Sequence, residues 1–192
     1  MVFVIGPRDV NEYKDVVTIN TTSRSKDFGR GLSPFFLKPV DIDATSVENV
    51  WQYSKVYKEH LNKKGEPGKK YFEWRDAGFK NWRAVRYPMG KGAIPEYSLW
   101  EGEKLGYIDA RKKIYIPVYS AAVLRSEAYK KLYELYKEVK HICLWDFDGY
   151  DYYNLMIPLE KTIEITSRSM GHAFVIALLL EKNIKPLYNG KK

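Results

Sequence analysis

The chain has 192 residues, of which 45% are hydrophobic and 29% charged, a composition that fits one folded domain and excludes a wholly disordered or collagen-like chain. A single cysteine excludes a disulfide framework and a cysteine-rich zinc site, and three histidines leave little for a histidine metal cluster. Lys and Arg number 32 against 24 Asp and Glu, a net charge of +8, and 16 Tyr, 8 Phe and 5 Trp accompany them; basic charge with aromatics suits a partner that carries phosphates and flat bases.

The opening segment MVFVIGPRDV lacks the basic and long apolar regions of a signal peptide. The longest apolar run, Ala173 to Leu180, is well short of the ~20 residues of a membrane span. No membrane association is expected, and a cytoplasmic, reducing compartment is. Residues 1–20 read as one or two short strands around Val2, Val4, Val17 and Ile19. Residues 21–34 are polar, glycine-bearing and end in proline, so they read as a loop, and it is basic through Arg24, Lys26 and Arg30. A helix is predicted from Thr45 or Ser46 to about Leu61, because Thr45 and Glu48 have capping-box spacing and Val47, Val50, Trp51 and Ser54 follow a helical stripe. The Lys- and Gly-rich segment 62–70 reads as an exposed loop.

A second helix is predicted near 71–86, followed by a loop over 87–107 that contains Gly90-Lys91-Gly92. A loop of that length in a compact domain suggests a role. Residues 110–119, ARKKIYIPVY, read as a strand or extended piece, and 120–139 as one helix. The run HICLWDFDGYD at 141–151 reads as a short apolar strand entering an acidic turn. Residues 155–166 read as short and extended; a last helix is capped by Ser167 or Ser169, ends about Glu181 and is closed by Asn183 and Pro186. Cys143 falls in the apolar strand and reads as a core thiol. The fold class is α+β: a single domain over residues 1–192, helix-rich around a small β-sheet.

Four acids occupy positions where chemistry is plausible. Glu48, Gln52 and Lys55 share one helix face at the flank of the buried stripe. A carboxylate, an amide and an amine on one rigid face can move a proton, hold a sugar hydroxyl and stabilise an anion or attack as a nucleophile. A capping glutamate on a solvated face is the simpler account. Asp146, Asp148 and Asp151 follow the apolar strand at its C-terminal edge, a habitual place for site residues. They lack the glutamate of a calcium loop, and Asp-Gly-Tyr-Asp is also ordinary turn chemistry, so no metal and no cofactor are expected. His172 opens the last helix after Gly171, where capping or packing is its simpler role.

The segment Leu32-Ser33-Pro34-Phe35-Phe36, followed by Ser46, Glu48, Gln52 and Lys55 in the order S/T-x-E-x-x-x-Q-x-x-K, resembles the NADAR family, also called YbiA-like. Trp82 to Met89 is similar to that family's W-x-x-V-R-…-M stretch, one residue short, and Met170 to Leu180 is similar to its last helix. Residues 88–118 depart from the pattern as an inserted or rewritten segment, and Ile142–Tyr150 keeps only a faint echo of it. The resemblance implies the NADAR/YbiA-like α+β fold and hydrolysis of an N-glycosidic bond in a nucleotide-type substrate or one attached to nucleic acid, such as excision of a modified base from DNA or removal of ADP-ribose from a base. A metabolic N-glycosidase and a non-enzymatic nucleic-acid-binding protein are the rival readings. Under the resemblance Glu48 is the carboxylate near the anomeric carbon, Lys55 forms an imine or holds a phosphate, and Asp146 or Asp148 is the second acid. Gln52, Trp51, Ser33, Phe35, Trp82, Arg86 and His172 become substrate contacts. Arg24, Lys26, Arg30 and Lys91, on the two long loops, become contacts to nucleic acid.

Overall fold

The computed structural model describes residues 1–9 and 13–181. It shows a single α+β domain with two three-stranded sheets. The first sheet is parallel: β1 (Val2–Ile5) and β2 (Val17–Asn20) flank β6 (Ile142–Trp145), in register Val2 to Ile142 and Val17 to Ile142. Ile142, Cys143 and Leu144 are fully buried, as a central parallel strand requires. The second sheet is antiparallel, with β4 (Tyr97–Trp100) between β3 (Lys55–Val56) and β5 (Glu103–Leu105).

Helices α1 (Val47–Tyr53), α2 (Lys69–Phe79), α3 (Tyr107–Ala110), α4 (Ile116–Val123), α5 (Glu127–Val139) and α6 (His172–Leu180) complete the domain, with a π-helical turn, Arg111–Tyr115, joining α3 to α4. Helix α6 is apolar on every side after His172 and is wholly buried, packing on β1 and α4 as the centre of the core. Among the described residues no helix is long and apolar enough to cross a membrane.

Several sequence expectations are corrected. Helix α1 stops at Tyr53 rather than Leu61, because the chain after Ser54 pairs with β4, and a helical period carries no information about a strand that lies some forty residues later. Its N-cap is Ser46, which accepts from the Asn49 N–H at 3.2 Å; Thr45 instead donates to the Phe79 and Asn81 carbonyls, and Glu48 caps nothing. Helix α2 begins at Lys69 and ends at Phe79, so 80–86 is irregular. The segment 87–107 is not one loop: β4 and β5 form a hairpin through Glu101 (φ 47°) and Gly102 (φ 84°), a two-residue turn with positive φ at both centres.

The 110–119 run is helical. Ile114, Ile116, Val118 and Tyr119 are buried on all sides of the 107–123 rod, so burial outweighs the strand preference of β-branched residues. Pro117 sits in the first turn of α4, where its missing N–H costs little. The predicted 120–139 helix is two, because Ser126 caps α5 by accepting from the Tyr129 N–H. Leu159–Glu164 is a 3-10 helix, Phe28–Leu32 another within the 21–34 loop, and α6 is capped at Gly171 rather than at Ser167 or Ser169. Asn183 and Pro186 lie outside the described residues.

Candidate active site

The parallel sheet delivers its C-terminal edge to a cavity of about 310 Å³. Three elements meet there. The turn after strand β6 brings Asp146, Phe147 and Asp148; the entry to α6 brings Met170, Gly171 and His172; α1 brings Glu48, Trp51 and Gln52. Ser33, Pro34 and Phe35 close one wall, Thr22, Ser23 and Arg24 another, and Arg86 and Tyr115 complete the lining.

Glu48 is buried, and its position is fixed by its own N–H donating to the Pro34 carbonyl at 3.0 Å. Its Oε1 accepts from Gln52 Nε2 at 2.8 Å, and Gln52 Oε1 accepts from Lys55 Nζ at 2.7 Å. The carboxylate, amide and amine of the sequence motif therefore form one chain of hydrogen bonds, buried rather than solvated. Burial raises the Glu48 pKa above the usual carboxylate range, against the opposing pull of Gln52 and the Lys55, Arg86 and His172 charges. Burial lowers Lys55 to about 8; the Glu48 charge opposes that shift and Arg86 adds to it. The Lys55 ammonium lies 4.8 Å from the Trp51 ring centre.

Asp146 is committed elsewhere. Its Oδ2 lies 3.0 Å from His172 Nδ1 and accepts from the Ala173 N–H at 3.2 Å, so it also holds the first turn of α6. His172 Nε2 faces the Thr21 carbonyl at 2.7 Å. Both ring nitrogens meet acceptors, so both carry protons and the ring is an imidazolium. Burial opposes that charge, but the Asp146 carboxylate and the Thr21 carbonyl outweigh it and raise the His172 pKa; Asp146, likewise opposed by burial, is held below its usual range by His172. Gly171 is required here, because a Cβ would stand 2.1 Å from Asp146 Oδ2. Asp148 accepts from Arg86 Nη2 at 2.5 Å, and burial raises its pKa against that pairing.

Of the residues singled out from sequence, Glu48, Gln52, Trp51, Ser33, Phe35, Arg86, His172, Asp146, Asp148 and Arg24 line one cavity, and Lys55 reaches it through Gln52. Trp82 does not: it is 78% exposed, stacked by Arg83 at 4.2 Å and off the cavity wall. Lys26, Arg30 and Lys91 are exposed and also off that wall; Arg30 lies over the Phe36 ring. Asp151 faces away, accepting from Tyr13 Oη at 2.8 Å and from Asn154. Among the described residues no group of three or more His, Cys, Asp or Glu could hold a metal ion. Cys143 is buried in β6, which pushes its thiol up to about 12.

Sequence reasoning missed Tyr115, because its segment reads as a strand. It also missed Asn49. That side chain donates to the Asn81 and Arg83 carbonyls at 3.0 Å and accepts from the Val85 N–H at 2.9 Å, and so fixes the irregular segment that presents Arg86. A buried-face asparagine one position after Glu48 was the available signal.

A family model described as "Family of unknown function (DUF6939)" matches residues 8–165, and the chain belongs to that family. No curated protein sequence and no solved structure matches the chain.

Proposed function

We propose that this DUF6939 chain is a hydrolase that cleaves the N-glycosidic bond of a nucleotide-type substrate, with Glu48 as the carboxylate at the anomeric carbon. One observation carries the reading: a buried glutamate of raised pKa is hydrogen-bonded through Gln52 to a lysine of lowered pKa at the edge of a polar cavity. Environments that bring an acid and a base toward neutrality from opposite sides are how proton-transfer sites are built. The resemblance to the NADAR family supports the same chemistry and proposes a kinship between it and this family.

In the proposed reaction the C–N bond breaks with its electron pair leaving on the base nitrogen. Positive charge develops at the sugar carbon, where the Glu48 carboxylate stabilises it. Water adds its oxygen to that carbon and gives a proton to Glu48, while the Lys55 ammonium gives a proton to the departing nitrogen. Exchange with solvent restores both groups, and the net change is addition of water across the bond. Of the two aspartates considered as second acid, Asp146 is bound to His172 and holds α6, which leaves Asp148 to assist with its Arg86 partner. Arg24 and Arg86 supply the cations for a phosphate. Neutral Lys55 also suits an imine with a ring-opened sugar, and borohydride trapping during turnover tests that variation.

A second reading keeps the chemistry and places the base on nucleic acid. It is favoured by Arg24 lying on the cavity rim with exposed Lys26 and Arg30 just beyond it in sequence. Against an extensive polymer groove, surface lysines 69, 104, 112, 113, 130, 137 and 161 each pair with a glutamate. A cytoplasmic location belongs to the same proposal.

The test is mass-spectrometric detection of released base from free nucleotides, plain DNA and DNA carrying ADP-ribosylated bases. Glu48→Gln is expected to lower release by at least about a hundredfold, and the productive substrate separates metabolite from polymer. No release from any substrate, with salt-sensitive DNA binding equal in both proteins, would replace the hydrolase by a binding module.

A further inference from the structure

A second recess of about 240 Å³ adjoins the charged cavity at Trp51. Trp51 is the residue common to both linings. The indole stands between two tyrosines: Tyr115, 5.1 Å away ring to ring, lines the charged cavity, and Tyr107, 6.4 Å away, lines the recess. The two chambers differ in chemistry. The first holds Glu48, Asp146, Asp148, His172 and the two arginines; the recess is walled mainly by Trp51, Tyr97, Tyr107, Ile94 and Leu105, with Ser98, Lys55 and the exposed Glu96 as polar points. Ile94, at its edge, is 85% exposed, an apolar surface with no protein partner to cover it.

We propose that the recess beside Trp51 binds the planar nitrogen heterocycle of the substrate, while the charged cavity binds its sugar and phosphate. This rests on the hydrolase reading above and extends it by assigning the leaving group its own chamber. A flat aromatic ring offers a face to Trp51 and Tyr107, and face stacking tolerates any base because every base has such a face. The scissile bond then lies at the partition. Lys55 stands at that boundary: it lines the recess, its ammonium lies against the Trp51 ring, and it is hydrogen-bonded to Gln52 of the other chamber. The ring nitrogen that gains a proton on cleavage therefore faces the group that can give it. The division also gathers Glu48, Asp146 and Asp148 on the sugar side, where a developing cation gains most, while the carboxylate of the recess, Glu96, is exposed to solvent.

The experiment follows the emission of the chain's five tryptophans while adenine, hypoxanthine, cytosine and nicotinamide are titrated separately, the Trp51 share being the difference from Trp51→Phe. At least one is expected to quench saturably, and Trp51→Phe is expected to remove that quench. Ser98→Leu, which fills the recess, is expected to weaken binding of the quenching base by about tenfold or more. Should Ser98→Leu fail to fold, Ile94→Arg at the exposed edge obstructs the mouth without touching the core or adding an indole. No quench by any of the four, or a quench unchanged by the recess substitutions, overturns the proposal. The two readings fail separately. Quenching without base release from any nucleotide sinks the hydrolase and leaves the recess as a base site. Glu48-dependent release with an unaltered KM in the recess variants sinks the recess and leaves the hydrolase.

Discussion

Replacing Asp146 with Asn removes one oxygen's charge from a side chain that is 5% exposed and faces an imidazole that is 8% exposed. Three contacts depend on that carboxylate: His172 Nδ1 at 3.0 Å, the Ala173 N–H at 3.2 Å and the Asp148 N–H at 3.4 Å. An amide oxygen can keep one of the backbone donors, but nothing then balances the buried imidazolium, which Thr21 still holds through Nε2. Breaking a buried pair from one side costs about 3–5 kcal/mol, a large share of the about 5–15 kcal/mol that stabilises a domain. At about 2–4 °C per kcal/mol for a chain of this size, the melting midpoint should fall by roughly 6–20 °C. His172→Gln on the same background removes the stranded charge and should recover at least about 1 kcal/mol, the mark of two residues acting as a unit. The pH dependence has a definite sign. His172 is raised in the folded state, so its contribution is complete below the unfolded value of 6.5 and is lost as pH climbs through the folded pKa. Asp146 is lowered, so its contribution is complete above 3.8 and is lost as pH falls through its folded pKa. Urea denaturation should show the largest gap between wild type and Asp146→Asn between those two values and a narrower gap at about pH 9. A gap under about 1 kcal/mol, or one that widens with alkali, refutes a charged His172.

Gly171→Ala forces a methyl group onto Asp146 Oδ2 and should cost about 1–3 kcal/mol in chemical denaturation, with loss of whatever turnover the wild type shows. Arg111 is buried and its guanidinium donates to the carbonyls of Ile163, Ile165 and Arg168 and to Tyr107 Oη; Arg111→Met leaves them without a donor and should destabilise by about 3 kcal/mol or more, read from the urea midpoint. Carbon-13 methyl labelling of lysines should reveal Lys55 titrating at about 8, and Glu48→Gln, which removes the anion that opposes the shift, should move it lower still. Gly102→Ala, at φ 84° in the hairpin turn, should cost about 1 kcal/mol by the same denaturation assay and leave base release unchanged.

Local patterns in the sequence were enough for β1, β2, β6, the start of α1 and the apolar α6, because each carries its signal within a few residues. What failed depended on distant partners. The helix at Tyr53 is ended by a strand at Ser98, and Ile114–Val118 is helical because it is enclosed on all sides. The hairpin was hidden by glycines and prolines that suggested a featureless loop, and by the charged Glu103-Lys104 of β5, which does not read as a strand. Site residues were easier to place than the fold around them. Helical spacing grouped Glu48, Gln52 and Lys55, and the three do meet, but Lys55 does so from β3, just past the end of α1, rather than from the helix face expected; the end of an apolar strand marked Asp146 and Asp148. That His172 would answer Asp146, with the two residues some twenty-six positions apart, was invisible, because nothing in either segment encodes the register between β6 and α6. Trp82 shows the converse, since an aromatic in a recognisable stretch stands in solvent.

The central place of β6 also dictates an order of events during synthesis. Val2–Ile5 and Val17–Asn20 emerge early, yet both find their hydrogen-bonding partner only in Ile142–Trp145 and do not pair with each other. Until β6 has left the ribosome the two early strands lack their partner, while the segment from α1 through the β4–β5 hairpin can assemble from near neighbours. Arrival of β6 closes the sheet, places Asp146 at its end and makes ready the socket that His172 enters last. The nascent protein therefore acquires its charged pocket only once β6 and the start of α6 have both emerged, and a chain truncated before β6 would present two unpaired strands to the chaperone machinery rather than a partly working site.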